Sequence, residues 1–446
     1  MNFFRFISVA VCLTLILVCL AGPARGRVYI DINQPFVKKI PVAIPDFRPL
    51  NAQSGGLTEV SRGLAARLGD NLDLTGMFVI LDKRTFIESD TQAGLEGNKG
   101  VNFKEWLTIG GELLVKGAFS LNGDELSLEL RLFDIFEGRM LLGKRYTGRR
   151  KDARRMINRF TNDIIYILTG ELGIFGTRIV FVGYSGGRKQ LFLTELGGEN
   201  AVRLTNGPTN STWPVISPGG GEIVYSTRRS RGEVLRSLKL GGGERTVSSG
   251  TNLHLTPCFT PKGLILTAIS GKHNTNIFLL DPNGGKPIPI TKHWGINISP
   301  TVSPDGTQMA FVSNRAGGPQ IYTSSVNGGE ARRLTIEGKE NTDPQWSPRG
   351  DRIVYVGASR GGSRDIFTIN PDGSDQQQLT SGTGRNTRPS WSPDGRMIVF
   401  ASTRLGRPLL FTMTANGERQ RPLKPDYRGA QLSPFWSPAK PAGLTN

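Results

Sequence analysis

The chain has 446 residues, which is too long for one small core, and its three cysteines are too few for a disulfide-built scaffold. Its 55 lysines and arginines against 37 acids give a formal charge of +18, which directs attention to anionic partners.

The first segment is a leader. Arg5 supplies a positive start, Val9–Leu20 an apolar run, and Ala24-Arg25-Gly26 small residues at the −3 and −1 positions of a cleavage after Gly26. The run is short against the ~20 residues of a bilayer span, so residues 1–26 are expected to be a cleaved signal peptide rather than an anchor. Cleavage removes Cys12 and Cys19, leaves Cys258 without a disulfide partner, and lowers the charge to +16 by taking Arg5 and Arg25. Nucleic acid is the usual reading of such charge, but export argues against it. Acidic protein faces or anionic envelope polymers fit its charge better.

From Arg27 to Gly170 the pattern mixes strand and helix. Val28, Ile30 and Ile32 alternate with Arg27, Tyr29 and Asp31, which predicts a short strand, and Val42–Phe47 predicts another. Leu57, Val60, Leu64 and Leu68 recur at helical spacing, with Gly69 as the expected stop. Met77–Leu81 reads as a strand. Leu113–Phe119, Glu125–Phe136 and Met140–Tyr146 read as an antiparallel run turning at Asn122-Gly123 and Glu137-Gly138. Ile157, Phe160, Ile164 and Leu168 form a last helix, stopped by Gly170. Residues 27–170 are thus expected to be a small α/β domain.

After Gly176 helical periodicity ends and a repeat begins. Ile216–Gly220 (ISPGG), Phe259–Gly263 (FTPKG), Val302–Gly306 (VSPDG), Trp346–Gly350 (WSPRG) and Trp391–Gly395 (WSPDG) are followed by the truncated WSPAK at Trp436–Lys440. Their prolines are spaced by 43, 43, 44, 45 and 45 residues. Serine, proline and glycine at the first, second and fourth positions suit a type I turn, and the proline must lie at a strand end because it cannot donate to a ladder. The fifth repeat reads as strands near Pro389–Ser392, Met397–Ser402, Leu409–Met413 and Arg421–Leu423. Four-stranded units at this period predict a β-propeller, in which each Trp is buried against the next sheet. Arg178–Val182, Gln190–Thr194 and Val202–Thr205 lack an inner strand, and Leu432–Ser437 has nothing after it. Joined, they close residues 176–446 as six blades.

With the junction ILTGELGIFGTRIVFV (Ile167–Val182), the SPDG-type repeats and the closing FWSP at Phe435–Pro438, nearly the whole mature chain resembles the periplasmic TolB family of the Tol-Pal system. The resemblance implies a periplasmic binding scaffold with no cofactor. Its propeller funnel would receive the peptidoglycan-associated lipoprotein, Pal, and its mature N-terminus, Arg27, Val28, Tyr29, Ile30, Asp31 and Ile32, would engage TolA. Such a protein supports outer-membrane integrity and division, is peripheral to the membrane, and leaves room for other outer-membrane proteins as partners. The segments entering each inner strand are the expected funnel loops: Asn210, Ser211 and Thr212; Leu253 and His254; Asn297, Ile298 and Ser299; Asn341, Thr342 and Asp343; Asn386, Thr387 and Arg388; and Gln431. These types also cap turns, which is the structural alternative for each.

Catalytic and metal sites are not expected. Gly183-Tyr184-Ser185-Gly186-Gly187 matches G-x-S-x-G, but a strand rather than a helix is expected after it. The three histidines, His254, His273 and His293, form no zinc motif, and Asp372-Gly373-Ser374-Asp375 lacks the downstream ligands of a calcium loop. The alternatives are a cell-wall glycan-binding propeller, which exposed funnel aromatics would favour, and an exported propeller hydrolase, which convergent carboxylates and histidines would favour.

Overall fold

The structure, a computed structural model, describes residues 39–50, 57–87, 100–198, 200–229, 232–250, 252–358 and 362–437. The expected N-terminal strand Arg27–Ile32 and Pro438–Lys440 lie outside the described residues. The chain divides into two compact units. The first comprises the described residues up to Ala66, Met77–Ala153 and Ile164–Gly170; the second comprises Arg67–Gly76, Arg154–Asp163 and the described residues from Glu171 onward.

In the N-terminal α/β region one sheet has the order Phe78–Ile80, Ile40–Ala43, Leu113–Asn122, Glu125–Asp134, Arg139–Arg149. The first three strands are parallel and the rest antiparallel. Alternation explains its buried face: Leu126, Leu128, Leu130 and Leu132 point to one side and are buried. Helix Leu57–Leu74 runs past the expected stop at Gly69. Leu72 is wholly buried and extends the Leu64–Leu68 face by one turn, which outweighs the ~1 kcal/mol cost of a helical glycine. The chain turns instead at Gly76, whose φ is 75°. A short helix, Phe103–Thr108, was not legible in the sequence and buries Trp106. Helix Ala153–Thr169 ends as expected at a left-handed Gly170, which donates to the Tyr166 carbonyl at 2.8 Å.

The second region is a six-bladed propeller of four-stranded sheets. The inner strands are Ser211–Ile216, His254–Phe259, Asn297–Val302, Asn341–Trp346, Asn386–Trp391 and Gln431–Trp436. The last of these pairs antiparallel with Arg178–Ser185, setting Leu432 against Val182 and Trp436 against Ile179, and so closes the ring. In the first five blades the SPDG-type segment is the turn between first and second strands. In the fifth blade the Gly395 amide donates to the Ser392 carbonyl at 2.9 Å and the Met397 amide to Ser392 Oγ at 2.9 Å. Gly395 has φ 68°, so the fourth turn position requires glycine for conformational reasons.

Trp346, Trp391 and Trp436 of the repeat are buried between blades. Trp346 packs with Ala310, Ile321 and Leu334 of the third blade and with Ile353 and Tyr355 of its own. Trp391 likewise lies among Val354, Val356, Ile366, Ile398 and Phe400, and its indole N–H donates to the Gln345 carbonyl at 3.1 Å. A single sheet has no second face to offer these rings, so blade stacking supplies it.

Candidate functional site

The six inner strands share a backbone irregularity. Each ladder shifts register between its second and fifth residues. At the shift a non-glycine residue takes a left-handed conformation: Trp213 (φ 49°), Thr256 (46°), Ser299 (53°), Asp343 (52°), Arg388 (53°) and Ser433 (46°). A proline follows each one: Pro214, Pro257, Pro300, Pro344, Pro389 and Pro434. The proline has no N–H to give the ladder, and its ring disfavours the right-handed helical region for the residue before it. A left-handed L-residue costs roughly 1–2 kcal/mol, so the propeller maintains this strain at six equivalent places. All six line an axial cavity of about 410 Å³, together with both rows of prolines.

The ring is chemically uneven. Arg388 Nε lies 3.3 Å from Asp343 Oδ1, and its guanidinium stands 5.9 Å from the Trp213 ring centre. Thr256, Ser299 and Ser433 are small, and the Ser299 amide donates to Thr256 Oγ1 at 2.9 Å. The funnel therefore offers an ion pair and an aromatic face, with hydroxyls at the other three positions.

The structure separates the residues singled out in the sequence into two sets. The first residue of each inner strand is buried, and the Asn and Gln side chains at this position reach across the seam to the preceding blade. Asn297, wholly buried, donates to Asn276 Oδ1 at 3.0 Å and accepts from Arg315 at 3.1 Å. Asn341 donates to Gln320 Oε1 and to the Glu337 carbonyl, both at 2.7 Å. Asn386 donates to Asp365 Oδ1 at 3.0 Å, and Gln431 accepts the Leu410 amide at 2.9 Å. Ser211 and His254 are buried at the same position. Burial and these hydrogen bonds hold Asn297, Asn341, Asn386 and Gln431 away from solvent, and burial alone does so for Ser211 and His254. Asn210 is exposed and accepts the Lys189 amide at 2.9 Å. Thr212, Ile298, Thr342 and Thr387 are half-buried, and Ser299, Asp343 and Arg388 reach the cavity. Trp213, Thr256 and Ser433 were missed, although each precedes a proline that lies four residues before the proline of an SPDG-type turn.

His254 stands where four of its counterparts carry Asn or Gln and the fifth carries Ser211. Burial holds its imidazole below the ordinary pKa, and its Nδ1 has no hydrogen-bond partner. The folded chain thus binds this proton less readily than the unfolded chain. The resulting contribution to stability is intact above the unfolded pKa of about 6.5 and is lost as pH falls below it. Thermal unfolding between pH 7 and 5 should show a smaller acid-induced fall in Tm for His254→Gln than for the parent. Parallel curves would refute this account.

Other candidate chemistry has ordinary structural roles. Ser185 lies in a strand-to-strand hairpin, opposite Arg188, and its Oγ accepts from Arg203 at 2.8 Å. Burial pushes the Cys258 thiol up to about 12, so it stays protonated at neutral pH. Asp372 accepts from the Ser374 amide at 2.9 Å inside its own turn. Among the described residues no group of three or more His, Cys, Asp or Glu could hold a metal ion. No helix among them is long and apolar enough to cross a membrane.

Comparison with known proteins agrees with this architecture. Residues 28–141 match the TolB amino-terminal domain, and residues 166–440 match the TolB beta propeller domain. The chain belongs to the TolB family. A TolB homolog of Chlorobium luteolum is 32% identical over 418 residues, covering 94% of each chain. The Tol-Pal system protein TolB of Desulfosudis oleivorans is 37% identical over 282 residues, 63% of this chain and 64% of that relative's length. The crystal structure of TolB from Acinetobacter baumannii superposes with a TM-score of 0.77 over 90% of this chain and 97% of that one, at 24% identity. That likeness is one of fold.

Proposed function

We propose that this chain is an exported, periplasmic protein-docking scaffold of the Tol-Pal system, without catalytic activity of its own. Its propeller funnel receives the periplasmic domain of Pal, and its mature N-terminus, Arg27–Ile32, engages TolA. These contacts support outer-membrane integrity and constriction during division. The observation that carries the reading is the ring of six left-handed pre-proline residues around one axial cavity. Strain repeated at equivalent positions and facing a cavity suits a binding site pre-organised for an inserted element. The relatives' designation as Tol-Pal proteins supports the system, and the signal-peptide pattern expected at residues 1–26 supports export.

The test is calorimetric titration of residues 27–446 with the Pal periplasmic domain of the same organism. One-to-one binding should weaken by about tenfold or more in Arg388→Glu, which sets two carboxylates side by side with Asp343. Reversal at an exposed hairpin residue, Arg407→Glu, is expected to leave binding nearly unchanged. Arg404 is unsuitable as that control because it donates to Asn386 at 3.2 Å and stacks 4.5 Å from the Phe411 ring. Equal effects of Arg388→Glu and Arg407→Glu would place docking elsewhere. No binding by the folded parent would withdraw the Pal assignment.

A further inference from the structure

The second blade and its connection to the third expose Leu253, Trp294 and Ile296, where the counterpart loops among the described residues expose single apolar residues such as Ile336 or Leu405. On the second blade, Leu253 precedes the inner strand and is locked to the neighbouring hairpin. Its amide donates to Ser270 Oγ at 2.9 Å, and its carbonyl accepts the Ser270 amide at 3.0 Å. The connection to the third blade, residues 291–296, borders the same hairpin through the parallel bridge Thr275–Ile296. It presents Trp294, 73% exposed, beside an exposed Ile296. Lys272, His273 and Lys292 are also exposed there, with no acid in either loop, 271–274 or 291–296.

This connection is held rigidly. Asn276 donates to the His293 carbonyl and accepts the His293 amide, both at 3.1 Å. The Ile296 amide donates to Asn314 Oδ1 of the third blade at 2.7 Å. A Cβ on Gly295 would lie 2.3 Å from that oxygen, so any larger residue there would displace the Asn314 side chain. The His293 ring lies 5.2 Å from the indole. An indole held in water on a fixed backbone gains nothing for folding, whereas at an interface it is the residue type most often found to anchor binding.

We propose that Leu253, Trp294 and Ile296 form an off-axis anchor for the protein that docks in the funnel, and that the matching partner surface is an apolar contact flanked by carboxylates. The basic rim of Lys272 and Lys292 selects for those carboxylates and repels a second copy of this basic chain. This rests on the proposed function and deepens it, because docking then depends on one blade as well as on the axis.

The test titrates the Pal periplasmic domain into the parent, Trp294→Ala and Lys272→Glu/Lys292→Glu at low and high ionic strength, with Tm as the folding control. Trp294→Ala should weaken binding by about tenfold or more with Tm unchanged, since the side chain is exposed. The double reversal should slow association and flatten its salt dependence. Parent-like affinity in both variants would overturn the anchor while leaving funnel docking intact. Failure of the parent itself to bind would overturn both. If Pal binding were retained but Trp294→Ala abolished binding of a soluble anionic cell-wall glycan, the patch would be a glycan platform and the proposal would be overturned.

Discussion

Trp436→Ala is expected to lower the stability of the propeller by about 3–5 kcal/mol, the usual cost of emptying a fully buried large aromatic site. Trp436 is 1% exposed, its amide donates to Ser390 Oγ and its indole N–H to Thr177 Oγ1, both at 2.9 Å. It also lies on the strand that joins the two ends of the ring. The substitution therefore loses core volume and weakens the pairing that ties the C-terminal strand to Arg178–Ser185. Trp213→Ala is the matched control, since that ring lines the cavity and is only half-buried. Denaturant unfolding of the two variants should separate them widely. Similar losses would mean that closure does not depend on Trp436.

The second large effect concerns Asn386. Its amide donates to Asp365 Oδ1 at 3.0 Å and to Thr380 Oγ1 and Thr383 Oγ1 at 3.1 Å, and its oxygen accepts from Arg404 at 3.2 Å. Asn386→Ala leaves a 1%-exposed carboxylate and a half-buried guanidinium each short of a partner. Removing one member of a buried charged network typically costs about 3 kcal/mol. Stability should fall by that order, while the affinity of the folded protein for Pal stays near the parent value. Arg388→Glu should show the reverse. Unaltered stability with lost binding in Asn386→Ala would return this residue to the funnel surface.

These pairs show which parts of the site were legible. The polar residues entering each inner strand were visible as a set because they recur with the propeller period. Composition does not reveal which of two neighbouring polar residues faces the axis. Asn386 and Arg388 lie two positions apart and would share a face in a regular strand. The bulge before Pro389 breaks that rule, turning Arg388 to the cavity and leaving Asn386 in the seam with the preceding blade. Trp213 was missed for a related reason: in sequence it resembles the core tryptophans, and only the register shift at Thr212–Val215 exposes it to the axis. In the N-terminal region, Gly69 was misread as a stop because the burial that overrides its propensity comes from outside its helix.

The sequence by itself determined the six-fold repeat, the order of the two regions, and the closing of the ring by the C-terminal strand. Each follows from local chemistry that recurs at fixed spacing: Ser-Pro-x-Gly turns, alternating apolar strands and large aromatics needing a second sheet. Tertiary structure alone decided which side chains meet at the axis, because six separated pre-proline residues converge only once the ring is closed. It also decided that Trp294 remains in water while Trp346, Trp391 and Trp436 are buried, since burial depends on whether a neighbouring blade covers the ring.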